Sequence, residues 1–198
     1  MSRQGVVGSA GGGTTRFGSV ASAWETLLGA RAPDAENVEI VTVRSRGEIA
    51  PPALVARGAV KMVVGRDLVI DVARAPYLVL ESPWKHVALR ASLVVALTEE
   101  ISAAAIAKAR ASSATSLAAR IEARAQPTIE ARLEHLLEDL AKRHGTRLSG
   151  GTFLALPLRG RDVASLVGTT NESVSRIFAA WKRAGRIRAT RDGIWIRS

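Results

Sequence analysis

Cysteine is absent from this chain of 198 residues, which excludes disulfides, thiolate zinc sites and cysteine-ligated iron–sulfur clusters. No run of about 18 apolar residues occurs, so no segment is expected to cross a membrane as a helix. The N-terminus carries Val6-Val7 but lacks the longer apolar stretch of a signal peptide. These absences together predict a cytoplasmic protein.

Histidine is also scarce, and the three that occur do not have the spacing of a metal site. His135 and His144 are expected to face solvent. The chain shows no Ser/His/Asp arrangement and no paired carboxylates of the kind that catalysis uses. The sequence therefore argues against an enzyme, and it predicts no catalytic residue and no metal site.

Acidic residues are few in the last third of the chain. Residues 142–198 contain twelve Lys and Arg but only three acidic residues, so this segment carries +9 of the total net charge of +10. Positive charge concentrated in one segment is typical of a surface that contacts nucleic acid phosphates. A solvated basic face without a ligand is the alternative interpretation.

The same segment shows the pattern of a winged helix-turn-helix. A short helix is predicted over 161–167, and Gly168 ends it because a residue without Cβ can adopt positive φ. A second helix is predicted over 171–184, with Thr170 as its N-cap. Its buried residues recur at i, i+3, i+4 and i+7, namely Val174, Ile177, Phe178 and Trp181. Two short strands around an Asp-Gly turn follow as the wing.

The opposite face of the second helix is polar, as a major-groove reader requires. The residues predicted to reach base edges are Asn171, Glu172, Ser175 and Arg176, and Ser173 belongs to the same DNA-binding set. Glutamate can accept from cytosine N4, and arginine can bind guanine O6 and N7. Phosphate contacts are predicted for Arg159, Thr170, Lys182, Arg183 and Arg191. The alternative is a winged helix that contacts only protein.

These residues carry a family resemblance. Residues 127–198 resemble the C-terminal DNA-binding domain of the CRP/FNR family of bacterial transcription regulators. Thirteen residues match the helix-pair pattern of that family without a gap: Leu158, Asp162, Val163, Ala164, Leu166, Val167, Gly168, Thr170, Glu172, Ser173, Val174, Ser175 and Arg176. Two residues depart from it. Arg159 replaces the usual capping Thr, and Asn171 replaces an arginine, which could change the bases that are read.

The N-terminal part is predicted to have short β-strands over 37–110. Segments such as ALVARGAVKM resemble the cyclic-nucleotide-binding β-roll of the same family, but the region is shorter, so at least one hairpin must be missing or shortened. Residues 1–36 are expected to form a tail, disordered over its Gly/Ser-rich first 20 residues, followed by a short helix over 21–30. The predicted fold class is α+β: a shortened, jelly-roll-like β-roll, a connecting dimer helix and a winged helix-turn-helix.

Two helices are predicted between these parts. The first, over 111–126, is the candidate dimerisation helix, with one apolar face formed by Ala114, Leu117, Ala118, Ile121 and Ala125. The second starts near Pro127 and buries Ile129, Leu133, Leu136, Leu137 and Leu140 before Gly145. The resemblance implies a sequence-specific transcription regulator that binds a palindromic operator in double-stranded DNA as a homodimer. It leaves RNA polymerase open as a further partner.

The resemblance extends only in part to an effector site. The family binds cyclic nucleotides with a Gly-Glu pair followed by an arginine, and this chain has Glu81 and Arg90 but Leu80 in place of the glycine. Leucine restricts the close backbone approach that a phosphate needs. His86 stands near the haem-ligating histidine of the carbon-monoxide-sensing branch. No resident cofactor is expected, and a haem- or nucleotide-responsive sensor is kept as the alternative.

Overall fold

The computed structural model describes residues 13–29, 32, 39–97 and 101–197, with side chains from residue 18 onward. Its N-terminal domain is a roll of eight short strands, whose bounds are β1 Ile40–Val43, β2 Glu48–Ile49, β3 Ala53–Arg57, β4 Ala59–Val64, β5 Leu68–Arg74, β6 Tyr77–Val79, β7 Lys85–Ala88 and β8 Ser92–Ala96. Two antiparallel sheets have the orders β1-β8-β3-β6 and β2-β7-β4-β5. The predicted roll is confirmed, with β2 reduced to two residues. The sequence patterns did not separate β2 and β7 from the neighbouring turns.

Apolar side chains fill the space between the two sheets. Val55, Val60, Met62, Val79 and Val94 are buried there and contact one another. A period of two places alternate residues of each strand on this inner face. The outer face of β3 and β8 is also apolar, because a helix covers it.

That helix is α1, Gly13–Leu28. Val20, Ala23 and Trp24 are buried against Leu54 and Leu78 of the roll. The prediction that residues up to 20 are disordered is therefore wrong for 13–20, while residues 1–12 lie outside the described part. Val20 lies before the predicted start at 21 and shares one buried face with Ala23 and Trp24, so packing on the roll includes residues ahead of the predicted helix.

The connecting helix α2 spans Ala103–Ala125, so it begins eight residues before the predicted start at 111. Ser102 caps it, since its side chain accepts a hydrogen bond from the N–H of Ala105 at 3.3 Å. This corrects the predicted end of the roll at 110. The helix ends at Ala125, and the extended backbone of its C-cap Gln126 is the conformation that Pro127 imposes on the preceding residue.

The C-terminal domain combines three helices with a four-stranded sheet. Its elements are α3 Ile129–His144, β9 Gly145–Leu148, β10 Gly151–Leu154, α4 Gly160–Val167, α5 Asn171–Arg183, β11 Ile187–Ala189 and β12 Ile194–Arg197. The strand order is β11-β12-β10-β9. The predicted apolar stripe of α3 is confirmed, as Leu133, Leu136, Leu137 and Leu140 are buried. Strands β9 and β10 were not predicted.

Helix α4 joins this domain to the roll. The Lys61 ammonium contacts the Asp162 carboxylate at 2.7 Å. The Ser165 hydroxyl accepts from the Val69 N–H at 2.8 Å and donates to the Val69 carbonyl at 3.2 Å. Strand β5 lies at the edge of its sheet, so Ser165 satisfies backbone groups that have no neighbouring strand. Val69 and Val72 share one apolar core with Leu136 and Leu166.

A buried charged cluster links the roll to both long helices. Asp71 of β5 and Arg120 of α2 are 1% and 3% exposed, and Arg120 contacts Asp139 of α3. Arg143 donates to Ser116 at 2.6 Å and to Asp139. Burial, together with the charge of neighbouring Arg143, lowers the pKa of Arg120 to about 10, and Asp71 opposes this shift. The cluster fixes α2 and α3 relative to the roll. No helix within the described ranges is long and apolar enough to cross a membrane.

Candidate nucleic-acid interface

Helix α4 begins at an unusual cap. Arg159 occupies the N-cap position, where its side chain has no oxygen to accept a hydrogen bond from the first turn. Asp162 compensates, because its carboxylate accepts from the Arg159 N–H at 3.1 Å. The same carboxylate pairs with Lys61, so one residue caps the helix and docks it on the roll. The bond from the Arg159 N–H to the Asp162 carboxylate is one of the two reciprocal bonds of a capping box, so it caps the helix where the usual Thr is replaced.

The turn between α4 and α5 has the geometry that the sequence predicts. Gly168 follows the last residue of α4 with φ of 70°, a left-handed conformation that favours glycine. Thr170 caps α5, since its hydroxyl oxygen accepts from the Ser173 N–H at 3.2 Å. These two residues set the angle at which α5 leaves the turn.

The buried face of α5 is anchored on α3. Val174 and Trp181 are buried, and Phe178 stacks on Trp181 with ring centroids 5.8 Å apart. The Trp181 indole donates to Glu130 at 2.7 Å. Arg186 lies over the Trp181 ring at 4.8 Å. Arg186 is therefore engaged within the domain, and the orientation of α5 is fixed from two sides.

The opposite face of α5 is exposed, as predicted for a helix that enters the major groove. Asn171, Glu172, Ser175 and Arg176 are all exposed, and so are Lys182 and Arg183 at its C-terminal end. Asn171 differs from the others because its amide oxygen lies against Gly160, where a Cβ atom would collide with it. The α4 backbone therefore limits the positions that the Asn171 side chain can take.

Glu172 is held in its charged form. A hydrogen bond from its own backbone N–H, and a second from the Thr170 hydroxyl, lower the pKa of Glu172. The positive end of the α5 dipole favours the same charge state. An ionised carboxylate accepts hydrogen bonds only, which is what a cytosine N4 amine requires.

Three of the residues that are predicted to contact phosphates line one cleft. Arg159 of the α4 cap, Lys182 of α5 and Arg191 of the wing surround a cavity of about 620 Å³, together with Ser175. Ser45 and Leu89 of the roll form its far side. The structure thus brings Arg159 and Arg191 to one cleft, although they are 32 residues apart in sequence.

The wing hairpin is confirmed and adds a residue that the sequence reasoning missed. Strands β11 and β12 pair with Ile187 opposite Ile196, and Arg188 is exposed on the face opposite the buried Ile187. Arg188 shares a second cavity with Lys182. Strand alternation between Ile187 and Arg188 is the signal that could have identified it.

The effector candidates do not form one site. Glu81 is exposed after β6, and Arg90 is exposed in the turn between β7 and β8. Arg90 lines a cavity between the roll and the wing, and Glu81 is not among the residues around it. The pairing of carboxylate and arginine on which the nucleotide interpretation depends is therefore not supported by this arrangement.

His86 belongs to the interior of the roll. It is 2% exposed, and its Nε2 lies 3.4 Å from the Tyr77 hydroxyl. Burial lowers the pKa of His86 to about 4. An axial haem ligand needs an imidazole nitrogen directed into space that a porphyrin can occupy. Tyr77 stands in front of Nε2, so these residues do not fit haem. The described residues contain no cluster of ligands for a metal ion.

His144 also differs from its prediction as a solvent-facing residue. Burial, with the nearby Arg143 and Arg120 charges, lowers the pKa of His144 to about 4. Its carbonyl accepts a hydrogen bond from Arg74 at 3.2 Å. His135 retains partial exposure, with 35% of its side chain accessible.

Comparison with known proteins agrees with this geometry. The family of Crp-like helix-turn-helix domains matches residues 131–198. No curated protein matches the chain in sequence. A CRP/FNR-family transcriptional regulator from Thermus thermophilus is 18% identical, with a TM-score of 0.62 over 81% of this chain and 94% of that chain. FixK2 from Bradyrhizobium japonicum is 20% identical, with a TM-score of 0.63 over 81% of this chain and 93% of that chain.

A CooA variant from Carboxydothermus hydrogenoformans has the same fold, at 14% identity and a TM-score of 0.64 over 87% of this chain and 89% of that chain. Residues 131–198 therefore form a Crp-like helix-turn-helix domain, and the chain as a whole has the fold of CRP/FNR regulators. The family model is matched by the C-terminal domain alone, and the solved structures extend the similarity in fold to most of the chain.

Proposed function

We propose that the protein binds a palindromic operator as a homodimer, with α5 as the recognition helix in the major groove of each half-site. The observation that carries this proposal is the exposed polar face of α5, which is flanked by cations from α4 and the wing. Asn171, Glu172, Ser175 and Arg176 read bases, and Thr170 with Ser173 supports the N-terminal end of the helix. DNA as the partner places this activity in the cytoplasm.

The phosphate contacts come from the residues around that face. Arg159, Lys182, Arg183 and Arg191 fix the register of the domain on the duplex, and Arg188 joins them. All five cations are exposed. They act through charge, so they contribute to every DNA sequence alike and their contribution weakens as salt rises.

The homodimer is proposed to form along α2. Ala114, Ala118, Ile121 and Ala125 are exposed on one face of this helix, with Leu117 half-buried beside them. Ile121 is 70% exposed. The buried residues Ser116, Arg120 and Ala123 occupy the other face, so the apolar stripe is free to contact a second copy. RNA polymerase is a further proposed partner, as the family resemblance implies.

The recognition helix is tested by two substitutions with different expected results. On an operator selected from random DNA, Arg176→Ala should cost about 1–3 kcal/mol of binding free energy and relax the preference at one base pair, because a forked contact to a base edge is lost. Lys182→Ala should weaken all sequences similarly and reduce the slope of log affinity against log salt by about 1. Fluorescence anisotropy with the operator and with scrambled DNA measures both effects. An Arg176→Ala protein with unchanged affinity and unchanged preference would contradict the proposed docking.

A further inference from the structure

A cleft lies between the roll and the wing, outside the packed interior of the roll. Its volume is about 800 Å³, within the range of roughly 300–1,000 Å³ that small-molecule sites occupy. The roll contributes the end of β3, the end of β5 and the turn before β8, and the wing contributes its tip. We call it the arginine cleft, because Arg57, Arg74, Arg90 and Arg191 all line it.

The four arginines come from four separate segments of the chain. Arg57, Arg90 and Arg191 are exposed and form no side-chain hydrogen bond or ion pair with any described residue. Arg74 donates to the carbonyl of His144, which holds it at the rim. Asp192 is the one acidic residue among those that line the cleft. A cleft whose walls carry one sign of charge concentrates the opposite charge inside it.

The backbone around the cleft is fixed. Gly58 lies so close to Ser92 that a Cβ atom would collide with its side chain, and its φ of 123° favours glycine. The Gly58 carbonyl accepts from the Ala75 N–H at 3.1 Å. The Ser92 hydroxyl donates to the Arg90 carbonyl at 2.9 Å. These contacts hold the segments that carry Arg57, Arg74 and Arg90 close to one another without pairing their charges.

We propose that the arginine cleft binds a small polyanion that carries two or more phosphate groups. Guanidinium groups form forked hydrogen bonds with phosphate oxygens, and several of them around one cavity match a ligand with several charged groups. A ligand with a single phosphate would leave most of these cations unpaired. The site differs from a carboxylate–arginine nucleotide site, because Glu81 is not part of the cleft. It combines both domains, since Arg191 belongs to the wing.

Tripolyphosphate is the probe that tests this site, with the full chain at about 0.15 M salt. Isothermal titration calorimetry should show saturable binding of one tripolyphosphate per chain. The double variant Arg57→Gln/Arg90→Gln should weaken it at least about tenfold, because charge-assisted hydrogen bonds are lost. Arg66→Gln is the matched control, since Arg66 is an exposed arginine of the same domain outside the cleft. That control should bind as the wild type does.

A charge change of the opposite sign makes the test independent of folding defects. Asp192→Asn should tighten tripolyphosphate binding about two- to fivefold, the range that one exposed charge pair contributes. Cyclic AMP, with one negative charge, should bind at least about tenfold more weakly than tripolyphosphate. Circular dichroism should show the same folded spectrum for every variant.

Three results would overturn the proposal. The first is the absence of saturable tripolyphosphate binding. The second is equal affinity of the wild type and the Arg57→Gln/Arg90→Gln variant for tripolyphosphate, or a wild type that binds cyclic AMP as tightly as tripolyphosphate. The third is a double variant that loses DNA affinity while neither protein binds tripolyphosphate, which would assign these arginines to the DNA backbone instead.

Discussion

At the scale of single residues, a buried histidine makes the stability of the protein depend on pH. His86 is neutral in the roll because burial lowers its pKa to about 4. A histidine in the unfolded chain has a pKa of about 6.5. Between these values the unfolded chain binds a proton that the folded protein does not bind, so stability is complete above pH 6.5 and falls as the pH decreases.

We therefore expect His86 to reduce the free energy of unfolding by about 2 kcal/mol between pH 7 and pH 5. The variant His86→Gln should lose this part of the pH dependence, as measured by urea denaturation at both pH values. His135→Gln is the control, because the His135 side chain is 35% accessible, and it should keep the wild-type dependence. His144 contributes with the same sign in all three proteins. Equal slopes for wild type and His86→Gln would contradict the assignment.

Asp162 both caps a helix and joins that helix to the roll. Its carboxylate caps α4 through the Arg159 N–H and binds Lys61 of the roll. The sequence pattern places Asp162 in the helix-turn-helix motif, but nothing local in the sequence indicates that Lys61 is its partner. Contacts between residues about a hundred positions apart depend on how whole elements pack, so they become visible only in the structure.

At the scale of elements, the helices and strands with the clearest sequence patterns were predicted correctly. The positions of α3, α4, α5 and the wing strands follow from apolar spacing, from Gly168 and from Thr170. Strands β9 and β10 were missed because β9 is mostly exposed and Leu148 is its only large apolar residue, so it shows no apolar alternation. Helix α2 was predicted too short, since its first turns are rich in alanine and carry little amphipathic signal.

The candidate site shows the same division. The sequence identifies the exposed face of α5, because burying Val174 and Trp181 determines which residues point outward. It could not predict that the roll forms the far side of the cleft beside Ser175, or that Arg57, Arg74 and Arg90 converge. Those positions depend on how strands from distant segments pair and where the C-terminal domain docks.

Helix α2 gives a prediction at this scale. Ile121→Glu should impair dimerisation, because a homodimer along the exposed face would bury the new charge against its twin. Thr115→Glu adds the same charge to the same helix at an exposed position away from the stripe of Leu117 and Ile121, and it should leave the dimer intact. Sedimentation velocity measures the oligomeric state of each variant. A dimer that survives Ile121→Glu would place the interface elsewhere.

At the scale of the whole molecule, the roll and the C-terminal domain share one apolar core. Val69 and Val72 of β5 pack in the same apolar core as α3 and α4. Arg124 of α2 donates to the carbonyls of Ser165 and Leu166 at the end of α4, which is where a positive charge is favourable. Helix α4 thus contacts β4, β5 and α2, and the two domains are held together by apolar and polar contacts at once.

This arrangement predicts that the two domains unfold as one unit. Val69→Ala should lower stability by about 2–3 kcal/mol, because two buried methyl groups are removed from the shared core. Hydrogen exchange followed by mass spectrometry should show this loss equally in peptides from β3 and β4 of the roll and from α3. Val41→Ala is the control, since Val41 is 37% exposed and its truncation should change neither. If Val69→Ala accelerates exchange in the roll alone, the domains unfold separately, and the contacts of α4 with β5 do not couple them.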